Sequence, residues 1–402
     1  MPRKKDAAAK AVGASLPVDM LANIHGRLSV PDRLAFAAAF PASRDAFRLE
    51  PPCLFLPGDA PENATLFSLA DCRATATRIP GPGHTVLGSS SRAWLVTADD
   101  RAQLRLVNAG TGELRALPAI DTIPFLFVHR GCDSFWLEVK WFLRGPRAEM
   151  RHFLYSKVVL SDSAEIPMLV TGPDYGVVAF AMAGDGAWRL PPPRDGVEPV
   201  ATLEAGSWRL WHSRNGVKDA VNHEGMFYSI TYSGEVEAWE ERDTKAAGVF
   251  TSAVVAQRLL PPDAEHRKYL VGAPGGRLMV VLKVKETEQT TGQRTCSFKV
   301  QVLDSREGWK ETDDIGDNSL FVGGNSSLCV STREHPELRA GCVYYTEDDL
   351  RPPRPWNDNA GVHCYNAVGV FSLKDGSQDK VEGLGRHRSW PPPAWFTPST
   401  IL

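Results

Sequence analysis

Nowhere in this chain does an apolar run approach the ~20 residues that a membrane-crossing helix requires. The first residues, MPRKKDAAAK, lack the apolar core of a secretory signal. Cysteine is sparse and scattered: Cys53, Cys72, Cys132, Cys296, Cys329, Cys342 and Cys364 include no CxxC pair. That distribution argues against a disulfide framework and a thiolate zinc site, and it fits reduced thiols in an intracellular protein. Strong charge is missing too, since a formal net charge of −3 provides no field for nucleic acid or an anionic lipid surface. The expectation is a soluble protein of the cytoplasm, the nucleus or both, with no nucleic-acid and no membrane partner. Asn63-Ala64-Thr65 and Asn325-Ser326-Ser327 fit the glycosylation triplet, but off the secretory route they carry no sugar.

What is abundant points the other way from helices. Thirty prolines and 34 glycines in 402 residues interrupt helices and punctuate turns, which favours many short strands. Residues 1–15 are small, polar and basic, and read as a disordered tail whose Pro-Arg-Lys-Lys cluster is a nuclear address or a solvated end. Residues 16–47 read as helical. Met20, Leu21, Ile24 and Leu28 share one face at helical spacing, and Asp19 sits where the helix dipole favours an acid. Ser29-Val30-Pro31-Asp32 then starts a second helix: a serine cap, proline in the first turn, and an acid three residues after the cap. Two such short helices need a partner for their leucines. Residues 48–65, rich in proline and acid, read as a linker or an extended edge strand.

Beyond Leu66 the period changes from 3.6 to 2. Strand, tight turn, strand recurs at 104–118, 177–191, 226–240, 298–312 and 368–382, and again at 269–286, where Leu278, Val280, Leu282 and Val284 oppose Lys283 and Lys285. Trp188, Trp239 and Trp309 follow the turns in corresponding places and read as packing residues, while Trp390 and Trp395, among prolines, read as anchors of a closing strand. Units of ~50 residues with loop insertions fit six or seven blades in 66–402. The fold class is therefore mainly β, a β-propeller, because radial repetition leaves few open strand edges.

No motif in the chain demands chemistry. Asp313, Asp314 and Asp317 lack the alternate spacing and terminal Glu of a calcium loop, and read as a turn entering the strand Leu320–Val322. His363, Cys364 and Cys342 lack metal-ligand spacing. His223 beside Glu224 invites a general base, but reads as a satisfied polar group at a blade corner. Gly275-Gly276 and Gly323-Gly324 have no lysine or helix after them and read as turn or bulge glycines. No catalytic residue, cofactor or metal is expected.

Several segments also carry a family resemblance. Trp94-Leu95-Val96-Thr97, Leu106-Val107-Asn108, Asn222-His223-Glu224-Gly225-Met226-Phe227-Tyr228, Tyr269-Leu270-Val271, Gly275-Gly276-Arg277-Leu278, Leu320-Phe321-Val322-Gly323, Asn325-Ser326-Ser327 and Trp395-Phe396-Thr397-Pro398 occur in order. Residues 65–402 thereby resemble the KIB-type, kelch-like β-propeller domain of plant F-box proteins. Leu16-Pro17, Asp19, Leu21, Ile24, Arg27-Leu28, Asp32-Arg33-Leu34 and Phe36 resemble the F-box that precedes it. The resemblance implies a non-catalytic substrate-recognition subunit of an SCF-type E3 ubiquitin ligase. Leu16, Pro17, Leu21, Ile24, Leu28 and Leu34 would then bind a Skp-type adaptor, and the propeller would bind a substrate protein. The family's usual Val-Cys pair and following tryptophan are replaced by Ala39-Phe40 and Ser43. The alternative is a propeller scaffold with a degenerate F-box and no ligase coupling, its helices capping the first blade.

Overall fold

Apolar alternation becomes antiparallel pairing in the computed structural model. It describes residues 16–57, 64–77, 85–90, 92–99, 101–123, 127–131, 134–138, 142–146, 150–172, 176–182, 184–192, 216–242, 248–261, 263, 266–287, 294–304, 306–348, 368–385, 387 and 391–398. The tail 1–15, Trp390, His363, Cys364 and Cys132 lie outside the described residues.

Six blades form a propeller, and each hydrogen-bonded turn follows from its residues. At the turn of 104–118, Asn108 Oδ1 accepts the N–H groups of Gly110 and Thr111, both at 2.9 Å, and Gly112 takes φ +74°. That is the Asx geometry that asparagine offers a tight turn. Blade 2 runs Thr85–Ser89, Trp94–Ala98, Leu104–Asn108 and Leu114–Ala116 from the axis outward. Blade 3 is Tyr155–Leu160, Pro167–Thr171 and Val178–Phe180, with Arg189 bridged to Phe180 as a fourth position. Blade 4 holds Val217–His223, Met226–Thr231, Val236–Glu241 and Phe250–Ala256. Blade 5 holds Arg267–Ala273, Arg277–Thr287, Arg294–Asp304 and Gly308–Thr312. A further small sheet, Phe127–Arg130, Ser134–Glu138 and Phe142–Pro146, is inserted between blades 2 and 3.

Blade 1 joins both ends of the chain. Ala394–Phe396 is its innermost strand, followed by Cys53–Pro57, Ala64–Ser68 and Arg73–Thr77. Leu54 pairs with Trp395 on one side and Phe67 on the other. The closing role expected of Trp395 is thus realised, whereas 48–65 is corrected: it contains a strand paired on both flanks, neither linker nor edge. Cys53, Leu54, Phe55 and Leu56 are buried on both faces, so alternation gave no signal there.

Blade 6 departs from the simple pattern. Asn318–Val322 turns back into Ser327–Ser331, which becomes the innermost strand, and then pairs in parallel with Cys342–Thr346. Asp314 and Asp317 indeed sit at the turn before this strand, and Arg333 holds Asp317.

The tryptophans divide. Trp188 donates its indole N–H to Pro118 O at 2.9 Å, and Trp309 to Gln257 O at 3.1 Å. Each thereby ties the outer part of one blade to the segment leaving the outer strand of the blade before. Trp239 is different: it sits on the third strand of blade 4 and bonds Ser229 Oγ within the blade. Lys283 faces away from Leu278, Val280 and Leu282, toward a side that is covered too. Its ammonium reaches Asp348 Oδ1 at 3.3 Å.

Candidate functional site

Two features of the fold bear on function: the N-terminal helices and the axis of the ring. The first helix, α1, spans Val18–Arg27, and the second, α2, spans Val30–Ala39. A 3₁₀ turn, Pro41–Ala46, follows. Ser29 caps α2 as its residues dictate: Oγ accepts the Asp32 N–H and donates to the Asp32 carboxylate at 2.6 Å, with Pro31 in the first turn.

The six residues expected to form one docking face point in different directions. Leu21, 2% exposed, joins Ala37 and Phe47 in a small core that Leu16, Phe36 and Phe40 flank. Leu34, 5% exposed, packs with Val30 into the core of blades 1 and 2 beside Cys53, Phe55, Leu66 and Phe396. As docking contacts Leu21 and Leu34 are therefore corrected: packing consumes them. Leu16 and Leu28 are half-buried. Pro17 and Ile24 remain outward, in company with two residues that the expected set left out. Val18 is 51%, Met20 49% and Ile24 37% exposed. Met20 and Ile24 are four apart, so they form one outward stripe on α1. Ser43, at the position of the family's tryptophan, lies in the 3₁₀ turn. Phe47, four residues on, supplies the buried ring there: it stacks on His25 at 4.5 Å and lies 5.6 Å from Phe36.

A buried arginine fixes these helices to the propeller. Arg33 Nε donates to His25 O (3.2 Å) and Nη2 to Gly26 O (3.0 Å), which caps the C-terminal end of α1. Its Nη1 lies 2.6 Å from Glu50 and 2.9 Å from Asp71, the latter in the turn between two strands of blade 1. Burial pushes the Glu50 carboxyl up in spite of Arg33. Sequence reasoning missed Glu50 and Asp71 because the pairing spans tens of residues. An arginine on the inward side of an otherwise apolar helix was the available signal.

His25 is fully buried, and its ring nitrogens find no hydrogen-bond partner among the described residues. Burial, with the charges of Arg33 and Arg48, lowers its pKa from 6.5 to about 4. As pH falls through 6.5 the unfolded chain takes the proton first, so stability is lost until about pH 4 and no further. His25→Phe, which keeps the stack on Phe47, is expected to remove that part of the acid sensitivity. Thermal melts above pH 6.5 and near pH 4 check it, and an unaltered pH dependence counts against it.

At the axis, the turn of blade 6 reaches all its neighbours. Asn325 donates to Trp395 O at 2.7 Å and accepts the Trp395 N–H at 3.0 Å, so its amide mimics a backbone pair with blade 1. The Ser326 and Ser89 hydroxyls meet at 2.6 Å, reaching blade 2. Lys157 of blade 3 donates to Asp219 of blade 4 at 2.7 Å and to Ser327 at 3.3 Å. Asp219 also accepts Ser327 Oγ at 3.3 Å and the Leu270 N–H of blade 5 at 2.7 Å. Burial lowers the pKa of the Lys157 ammonium although Asp219 touches it. Gly323 admits this turn because a Cβ there would stand 2.2 Å from Thr346 Oγ1. The titratable groups at the axis thus converge, but they are buried and spend their hydrogen bonds on one another, which leaves them no access to a substrate.

His223 does sit at a blade corner, before Glu224 (φ +50°) and Gly225 (φ +81°). It is corrected in one respect: its Nε2 has no hydrogen-bond partner among the described residues, and Glu224 Oε1 is 3.8 Å away. Glu224 instead accepts the Gly276 N–H of the next blade at 2.8 Å, so the two do not form an acid–base pair. Among the described residues, no group of three or more His, Cys, Asp or Glu is placed to hold a metal, and no helix is long and apolar enough to cross a membrane.

Comparison with known proteins adds to this geometry. The family model described as KIB1-4 beta-propeller matches residues 66–372. F-box protein At2g17036 of Arabidopsis thaliana is 23% identical over 203 residues, 45% of this chain and 45% of that protein. F-box protein SKIP23 of the same plant is 23% identical over 198 residues, 44% of this chain and 46% of that protein. F-box/kelch-repeat protein At1g64840, also of Arabidopsis thaliana, is 29% identical over 130 residues, 31% of this chain and 30% of that protein. In each case the match spans less than half of the relative's length.

Proposed function

The chain belongs to the KIB1-4 β-propeller family, and on that footing we propose that it is an F-box-type substrate adaptor, the non-catalytic recognition subunit of an SCF-type ubiquitin ligase. Its helices engage a Skp-type adaptor and its propeller holds a substrate protein. The reading is supported by relatives named as F-box proteins. It is carried by one observation: Pro17, Val18, Met20 and Ile24 stand outward on a helix that Leu34 and Arg33 anchor to blade 1. Burying two or three such side chains at an interface contributes ~1.5–3 kcal/mol each before association costs are subtracted. Catalysis in this scheme is proximity, since the chain brings substrate to a transferring enzyme. The working compartment is the cytoplasm, the nucleus or both.

Met20→Asp with Ile24→Asp is the decisive variant, because both side chains are outward and the helical core stays intact. Wild-type chain is expected to co-purify with a Skp-type adaptor, and the double variant to lose it by at least about tenfold in affinity. If wild type fails to bind, the alternative stands: a propeller scaffold whose helices cap the first blade. The burial of Leu21 and Leu34 favours that alternative, since it removes two of the six expected contacts from the surface.

A further inference from the structure

Five of the six blades blunt the strand on their outer edge, and blade 4 does not. An open strand edge invites pairing with another chain, and shortness, charge, proline or a covering element prevents it. The outer strand of blade 2, Leu114–Ala116, has three residues and carries Arg115. That of blade 6, Gln378–Asp379, has two and carries Asp379. Blade 3 ends on the single bridge at Arg189, with Pro191 and Pro192 close behind. Gly308–Thr312 of blade 5 exposes Lys310 and Glu311. Arg73–Thr77 of blade 1 begins on an exposed arginine, and α2 lies against it. The inserted sheet has Arg130 in one edge strand, and Arg144 and Pro146 in the other.

Phe250–Ala256, seven residues long, is the longest of these outer strands and contains neither charge nor proline. Ala253, Val254 and Val255 are exposed in succession, the two valines at 36% and 43%. The start of the strand is held in place: Arg242 N–H donates to Val249 O at 2.7 Å, and Glu241 Oε1 accepts the Gly248 N–H at 2.7 Å. The edge is thus ordered before any partner arrives, which lowers the cost of pairing. On its inner side it pairs with Val236–Glu241. Among the described residues, no main-chain group from Thr251 to Val255 bonds anything beyond that neighbour. A register shift takes Val255 out of the ladder, and it lines the groove between blades 4 and 5 with Leu260 and Trp309. The regular run is Phe250–Val254.

We infer that blade 4 pairs edge to edge with blade 4 of a second copy of this chain, antiparallel, about a two-fold axis at Ser252. Such an interface uses one patch on both copies, so the patch must be complementary to itself. This run meets that condition. Phe250 opposes the copy's Val254, Thr251 opposes Ala253, and Ser252 opposes Ser252, so no charge is set against a like charge. Glu237, Glu240 and Glu241 stand on the strand behind, ~4.8 Å further from the seam in each copy. Pairing joins two four-stranded blades into one continuous sheet and satisfies the open main-chain groups of both. The surface is separate from α1, so the pairing does not depend on adaptor binding.

The test is the mass of the purified full chain in sedimentation, measured over a wide concentration range without any adaptor. Wild type is expected to dimerise reversibly. Thr251→Glu with Ala253→Glu sets carboxylate against carboxylate at the seam and should weaken the dimer by at least about tenfold. Thr251→Lys with Ala253→Glu opposes lysine to glutamate at the same places and should restore it, a gain that a misfolded protein cannot show. Met20→Asp with Ile24→Asp should leave the dimer intact, which separates this edge from the helical face. A monomeric wild type, with the edge left for a strand of some other protein, overturns the inference. So does a dimer that survives the paired glutamates, fails to return with the lysine–glutamate pair, or is lost with the helical aspartates.

Discussion

Replacing Asp219 by alanine is expected to lower the unfolding free energy by about 3–5 kcal/mol, the cost of leaving a buried charge without its partner. The Lys157 ammonium would remain at the axis with Ser327 as its hydrogen-bond acceptor, and the Leu270 N–H would lose its acceptor as well. Since a domain is stable by only about 5–15 kcal/mol, that loss is a large fraction of the whole. Urea or thermal melts of purified protein measure it. Lys157→Met combined with Asp219→Leu should recover much of the stability, because removing both charges also removes their desolvation penalty. A single Asp219→Ala change within about 1 kcal/mol of wild type would mean that the axis is not held by this pair.

The second large effect concerns the joint between helices and ring. Arg33→Ala strands the buried Glu50 carboxylate, uncaps the end of α1 and leaves Asp71 only Arg48 and Ser68, so a loss of about 3–5 kcal/mol is expected, concentrated in residues 16–50. Hydrogen exchange distinguishes this from global unfolding: protection should fall in the helices and in the turn carrying Asp71, while blades 3 to 5 keep theirs. Arg33→Lys should rescue only part, because an ammonium cannot reproduce the fork that reaches two carbonyls and two carboxylates at once. Uniform loss of protection across the ring, or none in the helices, would contradict the joint. The consequence for the proposed role is geometric. A partner seated on Met20 and Ile24 is held at a fixed angle to the propeller face, so a substrate bound there is presented in one orientation.

Much of this protein was legible residue by residue. The hairpins at 104–118, 226–240 and 298–312 follow from alternation and from Asn, Asp and Gly at the turns, because strand and turn propensities are local. The Ser29 cap and Pro31 fixed where α2 begins for the same reason. The closing strand at Trp395 was readable from its prolines and aromatic rings. What local pattern carried wrongly was the direction of side chains whose partners lie far along the chain. Cys53–Pro57 is buried on both faces and so lacks the alternation that would have marked it. Leu21, Met20 and Ile24 share a helical stripe, and only the packing of Ala37 and Phe47 decides which of them is covered.

The axis and the groove belong wholly to the tertiary structure. Lys157, Asp219, Leu270 and Ser327 are spread over four blades and meet only because the ring closes. Asp304 and Arg277 line one groove with Leu260 because blade 5 packs against the edge of blade 4. By itself the sequence determined a mainly β chain of repeated hairpins preceded by two short helices. Tertiary packing decided which polar groups are buried together, which apolar side chains of the helices remain outward, and where two blades leave an opening between them. Propensity and capping act over a few residues, whereas burial and long-range ion pairing exist only once distant segments share a surface.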